Sequence, residues 1–287
     1  MEKANRLYQP KVIKEVMAKY GFRFSKGLGQ NFLIDGNILD KIVEGSDIGA
    51  EDYVLEVGPG FGTLTQALCE SAKRVVSVEL DNRLETILAD TLSEYDNFKL
   101  VHGDILKIDI NQLIQEEFQG HRFKVAANLP YYITSPIVMM FLESGLPIDC
   151  ITVMVQKEVA DRMQAKPNTK DYGALSVAVQ YYAKPEILAK VPAGMFMPAP
   201  NVDSAVISLK IYEEKPYQAK NEQLFFRVVK ASFGQRRKTL LNALASGLSL
   251  PKDQIKDLLQ RAEIQENRRG ETLSIEEFIR IADLLED

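Results

Sequence analysis

Through the first two-thirds of the chain, short apolar runs alternate with stretches whose apolar positions recur at helical spacing. Residues 53–57, 74–78, 99–102, 124–127 and 150–155 are short runs rich in Val, Leu and Ile, each followed by polar or turn-forming residues. Such runs read as strands buried on both faces. Between and around them, residues 10–20, 35–42, 63–71, 82–92, 110–118, 136–143 and 157–164 carry helical spacing. Gly21 is placed to end the first helix, and Asp35 or Asn37 to start the second. Strand and helix in strict alternation predict a mostly parallel sheet with crossover helices, an α/β fold. The pattern then changes. Residues 176–182 and 205–211 read as strands around a Pro-rich loop, 191–201, an antiparallel end to the sheet. From 222 onward every periodic segment is helical: 222–233, 237–245, 252–262 and 275–285, the last opened by Ser274 with Glu277 three residues on, a capping box. The expected division is 1–212 for an N-terminal arm and an α/β domain, 213–220 for a polar linker with Glu213, Glu214 and Pro216, and 221–287 for a small helical domain.

Composition narrows the class. With 287 residues, 46% apolar and 26% charged, the chain can bury a core of ordinary size. No stretch approaches the roughly 18 apolar residues of a membrane span, and the first ten residues are polar, so the expectation is a cytoplasmic protein. Cys69 and Cys150 sit far apart in apolar surroundings and read as buried free thiols; His102 and His121 make no metal-ligand spacing, and no metal is expected. The net charge is −5, yet residues 1–26 hold seven Lys or Arg against two Glu, and 227–238 hold Arg227, Lys230, Arg236, Arg237 and Lys238 with no acid. Basic segments on an acidic protein suggest directed contact with a polyanion; for either segment alone a solvated helix face explains the charge.

The chemistry centres on 54–65, Val-Leu-Glu-Val-Gly-Pro-Gly-Phe-Gly-Thr-Leu-Thr. A strand runs into glycines at 58, 60 and 62 and then into a helix, so the backbone can turn sharply and approach a ligand. The next strand ends in Glu79, about twenty residues beyond the first glycine, where a carboxylate can accept from ribose hydroxyls. The spacing is G-x-G-x-G with Thr63 where a third fingerprint glycine or alanine would follow. That weakens NAD and favours S-adenosylmethionine, which has no pyrophosphate to seat. Asp104, closing the third strand, can accept from an adenine amino group or simply cap the next segment. Asn128-Leu-Pro-Tyr131 closes the fourth strand. An amide oxygen and a turn carbonyl can accept two amine protons, and a tyrosine ring can stack on a base. Phe196, in the Pro-rich loop, is a second candidate ring.

Together, Gln30-Asn-Phe-Leu33, Glu56-Val-Gly-Pro-Gly60 with Thr63-Leu-Thr65, Glu79-Leu-Asp81, Gly103-Asp104, Asn128-Leu-Pro-Tyr131, Phe196-Met-Pro-Ala-Pro200 with Val202-Asp-Ser-Ala205, and Arg236-Arg-Lys-Thr-Leu240 resemble the ribosomal RNA adenine dimethyltransferases. They fall in that family's order across nearly the whole chain. The resemblance implies a class I S-adenosylmethionine-dependent methyltransferase fold, Rossmann-like, with a small C-terminal helical domain. It implies transfer of two methyls to N6 of each of two adjacent adenosines near the 3′ end of small-subunit (16S) rRNA, with a 30S precursor as partner and a monomer as the default. By that resemblance the family's roles fall on Asn31 and Leu33 against the cofactor, Gly58 along its methionine portion, Glu79 on the ribose, Asp104 on the adenine, Asn128 on both cofactor and target amine, and Tyr131 and Phe196 around the target base. Lys26, Arg236, Arg237 and Lys238 are the expected RNA contacts. The alternatives are a large-subunit rRNA methyltransferase of the macrolide-resistance kind, a DNA adenine methyltransferase, a nicotinamide-dependent oxidoreductase, and a mainly non-catalytic assembly factor.

Overall fold

The computed structural model describes residues 6–25, 27, 29–235 and 237–286; Lys26 and Arg236 lie outside them. Two compact units are present. The first comprises 1–160 and 186–211, the second 161–185 and 212–287.

The first unit opens with α1 (Pro10–Tyr20), ended by Gly21 in the left-handed region as the sequence predicts. A two-residue strand, β1 (Phe32–Leu33), precedes α2 (Gly36–Gly45), whose N-cap is Asp35, accepting from Ile38 N. The alternating series comes next: β2 (Tyr53–Val57), α3 (Thr63–Ser71), β3 (Arg74–Glu79), α4 (Glu85–Thr91), β4 (Phe98–His102), α5 (Ile110–Phe118), β5 (Phe123–Asn128), α6 (Thr134–Glu143), β6 (Ile148–Gln156) and α7 (Lys157–Gln164). After it in the chain stand α8 (Ala174–Tyr182), which groups with the second unit, then β7 (Ala183–Val191), the short β8 (Phe196–Met197) and β9 (Ser204–Ile211). The seven-stranded sheet runs β4-β3-β2-β5-β6-β9-β7. Its pairs from β4 through β6 are parallel, and β9 joins β6 antiparallel. The strand order therefore reverses between β2 and β5, and the crevice at the carboxyl ends there is where an open α/β sheet takes its ligand. On one face, Ile38, Leu39 and Ile42 of α2 and Leu64, Leu68 and Cys69 of α3 pack against Val54, Val75, Ala126 and Met154 of the sheet. A second cluster joins Val12 and Ile13 of α1 to Phe22, Phe32, Phe61, Ile87 and Leu88. Both cysteines are buried and free.

Residues 176–182, expected as a strand, form most of helix α8. Ser176, Val177, Ala178, Val179, Tyr181 and Tyr182 are all buried, so the segment is apolar on every side and shows no period to read. The missed β7 contains Pro185 and three charged residues, which suits its place at the end of the sheet, where an unpaired side tolerates proline.

The second unit contains α9 (Glu222–Gly234), α10 (Leu240–Leu248), α11 (Lys252–Arg261) and α12 (Ile275–Glu286). The Ser274–Glu277 capping box forms in both directions. Residues 161–185, expected from the sequence in the α/β domain, make their contacts in this unit. Asn168 N donates to Glu271 O, Tyr172 Oη to Leu273 O, and both Tyr181 and Tyr182 hydroxyls to Glu222. Helix α10 starts at Leu240, after Thr239, so Arg237 and Lys238 stand in the preceding turn and not in the helix expected from 237. Among the described residues no helix is long and apolar enough to cross a membrane, and no cluster of three His, Cys, Asp or Glu is placed to hold a metal.

Candidate active site

A cavity open to solvent lies at the carboxyl ends of β2, β3, β4 and β5. Seven of the residues predicted for the site line it: Asn31, Leu33, Gly58, Glu79, Asp104, Asn128 and Tyr131.

The glycine turn forms the floor. Gly58 and Gly60 both have positive φ, and Gly58 N donates to Val78 O, extending the ladder one residue past β2. A Cβ on Gly60 would fall 2.5 Å from the Phe32 ring, whereas one on Gly58 would meet nothing within 4 Å. The first glycine thus leaves open space beside the backbone, and the second lets Phe32 stack on Phe61 beneath the turn, with ring centroids 4.4 Å apart. Glu79 is buried at the end of β3. Its carboxylate accepts from Asp81 N at 2.8 Å and Gly60 N at 3.4 Å, while burial raises its pKa against those bonds. Asp104 accepts from Leu106 N and pairs with Lys107, and the first of these is the main reason its pKa is lowered. Two carboxylates whose pKa values are shifted in opposite directions therefore face the cavity. At its wall Thr63 Oγ1 is buried with no hydrogen-bond partner, the one such side-chain atom among the described residues. Open space at a glycine, two carboxylates on neighbouring strand ends and an orphaned hydroxyl together fit S-adenosylmethionine, whose ribose, adenine and amino acid parts all carry hydrogen-bonding groups.

Asn128 Nδ2 donates to Asn31 O at 2.9 Å. Only the amide nitrogen can donate to a carbonyl, so that bond fixes the flip and leaves Oδ1 as the free acceptor. Tyr131 is half-buried, with its hydroxyl 2.7 Å from Ser204 Oγ; burial raises its pKa, so it stays a neutral phenol. Phe196 departs from expectation. It is 4% exposed, pairs with Leu33 in the β1–β8 ladder, packs with Ala189, Val191 and Val206, and is absent from the cavity lining. The pairing turns its ring into the core, and the aromatic residues that line the cavity are Phe32, Tyr131 and Tyr132.

Several residues here carry roles that the sequence did not disclose. Asp81 is buried and accepts from Arg83 Nε and Nη2 at 2.8 and 2.5 Å and from Gln30 Nε2 at 2.9 Å; Gln30 Oε1 in turn accepts from Ser25 N. Arg83 also donates to Arg23 O and lies over the Phe22 ring. The carboxylate after Glu79 thus ties the 22–31 loop to the end of β3. Glu56, under the turn, accepts from Thr65 and Ser77 hydroxyls at 2.7 and 2.5 Å. Burial, opposed by those bonds and helped by Glu79, pushes its pKa to about 7. The basic arm is partly neutralised: Arg6 pairs with Glu70, Lys11 with Glu15 and Lys19 with Asp90. Arg237 and Lys238 are exposed and make no ion pair among the described residues. Lys26 and Arg236, predicted as RNA contacts, are not described.

Comparison with known proteins agrees with this geometry. The family model described as ribosomal RNA adenine dimethylase matches residues 21–287. A ribosomal RNA small subunit methyltransferase A of Clostridioides difficile strain 630 is 56% identical over 281 residues, covering 98% of this chain and 97% of the relative. Among solved structures, a dimethyladenosine transferase from Plasmodium falciparum superposes with a TM-score of 0.73 at 27% identity, covering 87% of this chain and 95% of that one. The 23S rRNA methyltransferase ErmE superposes at 0.68 with 28% identity, covering 90% and 100%.

Proposed function

The chain belongs to the ribosomal RNA adenine dimethylase family, and we propose that its cavity methylates N6 of two adjacent adenosines near the 3′ end of small-subunit rRNA. The single observation that carries this reading is the Asn31–Asn128 bond, which leaves an amide acceptor on the wall of the same cavity as Glu79, Asp104 and the glycine turn.

S-adenosylmethionine, when bound, supplies a methyl activated by its sulfonium charge. Glu79 would hold its ribose hydroxyls and Asp104 its adenine amine, with the Gly58 backbone along its methionine portion and Asn31 and Leu33 against it. The amine of adenine is a poor nucleophile because its lone pair is delocalised into the ring. Asn128 Oδ1 and a carbonyl of the 128–131 turn accept hydrogen bonds from its two N–H groups and so favour the pyramidal nitrogen of the transition state. Tyr131, its hydroxyl anchored on Ser204, stacks on the base. Alignment supplies most of the remaining acceleration, and no strong base is required, since the attacked nitrogen turns acidic as the bond forms. Phe196 acts one step back, holding β1 and hence Leu33 in place. A target base enters such a cavity out of its stack, which is cheapest in a loop or single strand. Arg237 and Lys238 in the second unit hold the RNA backbone. The protein works as a cytoplasmic monomer on a precursor of the 30S subunit.

The test offers labelled S-adenosylmethionine with unmodified small subunits, naked small-subunit rRNA, large-subunit rRNA and duplex DNA, and then identifies the methylated nucleoside. N6,N6-dimethyladenosine from small-subunit material alone is the expected result. Label on large-subunit rRNA instead would overturn the substrate assignment, as would label on DNA.

A further inference from the structure

Among the described residues four large apolar or aromatic side chains are conspicuously exposed: Leu80, Leu106, Tyr132 and Val202. Tyr132 is the most exposed of them, at 61%, and it lines the cavity directly beside Tyr131. Its place is built. Gly29 has a φ of +61°, and a Cβ there would come within 3.4 Å of both Pro130 and the Tyr132 ring. The loop backbone thus lies against the edge of the ring while the rest stands in solvent at the mouth. Tyr131 is anchored through its hydroxyl; Tyr132 has no hydrogen bond among the described residues, and no ring is stacked on it. Leaving an aromatic ring in water forgoes the gain from burying it.

Resting on the methyltransferase reading above, we infer that Tyr132 is the stacking platform for the nucleotide next to the target adenosine. Drawing one base out of a stack strips its neighbour of a stacking partner. A flat ring at the mouth, adjacent in sequence to the ring that receives the extruded base, replaces that lost face. With two adjacent adenosines as substrate, the platform holds one while the other is in the cavity. A ring–base stack changes affinity by about tenfold or more. Stacking tolerates loss of the hydroxyl, so Tyr132→Phe retains the function and Tyr132→Ala loses it.

The experiment uses the full chain and a single-stranded RNA containing two adjacent adenosines, with 2-aminopurine replacing one of them at a time, whose fluorescence falls when it stacks. A second RNA carries an abasic site at the flanking position. S-adenosylhomocysteine affinity, measured on every variant, reports an intact cofactor site. The expected result is quenching at the flanking position by the wild type and Tyr132→Phe, lost in Tyr132→Ala with about tenfold weaker RNA binding. On the abasic RNA, wild type and Tyr132→Ala bind alike. Equal quenching by Tyr132→Ala, or the same weakening on the abasic RNA, overturns the platform while leaving the enzyme's assignment untouched. A wild type that binds neither RNA overturns the RNA reading and the platform with it.

Discussion

Glu56 shows how one buried side chain couples the cofactor turn to pH. It sits on β2 one residue before the strand's end, joined to α3 through Thr65 and to β3 through Ser77. Its folded-state pKa, about 7 against an ordinary 4.5, means the folded protein keeps a proton that the unfolded chain releases. The stability this contributes is complete below about pH 4.5 and is lost as pH rises through about 7. In Glu56→Gln the amide replaces the protonated acid, and the neighbouring Glu79 is unchanged. Denaturant unfolding of the two proteins should therefore diverge as pH rises from about 4.5 to above 7, the variant gaining on the order of 3 kcal/mol relative to wild type. Parallel pH profiles would show that Glu56 is ionised when folded. The place of Glu79 on the cavity wall was legible from a strand end at the right distance. That of Glu56 was not, because its partners are a helix and a strand that only the fold brings together.

At the scale of elements, the N-terminal loop is held at two points. Asp81 gathers Gln30 and Arg83 at one, and Asn128 takes the Asn31 carbonyl at the other. The Asp81 carboxylate is kept ionised chiefly by Arg83, which lowers its pKa. Asp81→Asn weakens charge-assisted bonds to Arg83 and Gln30, each worth roughly 1.5–3 kcal/mol. Part of that passes to the cofactor through Asn31 and Leu33, so KM for S-adenosylmethionine should rise about tenfold with S-adenosylhomocysteine affinity falling in step. Unchanged affinity would detach the loop from the site. The same scale explains what was legible along the chain. β2, β3, β5 and β6 could be read because central parallel strands are short, apolar and set off by turns. Helix α8 was misread because burial on all sides erased its period. β1 and β8 carry no local signal, being two residues each and defined only by pairing with one another. That pairing is also why Phe196, placed correctly in its motif, faces the core.

For the molecule as a whole, net charge was a poor guide and its distribution a better one. The chain carries −5 overall, and Arg6, Lys11 and Lys19 of its basic N-terminal segment are engaged in internal ion pairs. The turn holding Arg237 and Lys238 keeps exposed cations in the second unit. If both meet phosphates, replacing them with alanine should lower the slope of log affinity against log salt by about 1.5–2, as measured by titrating RNA binding between low and physiological salt. An unchanged slope would move the RNA contact elsewhere. Residues 213–220, expected as a linker, are irregular in structure and group with the second unit, which also takes in 161–185, where Tyr172 and Tyr181 are buried. Such a return is invisible to a boundary drawn from composition along the chain.

In the proposed reaction Asn128, locked by Asn31, presents the acceptor that readies the target amine. The most direct measurement is the single-turnover rate of methyl transfer to small-subunit rRNA by Asn128→Ala at saturating S-adenosylmethionine, with S-adenosylhomocysteine affinity determined alongside. The expected rate is lower by roughly 10²–10³, the cost of removing one preorganised transition-state hydrogen bond, with cofactor affinity reduced far less. A near-normal rate, or a loss wholly explained by weaker cofactor binding, would contradict it.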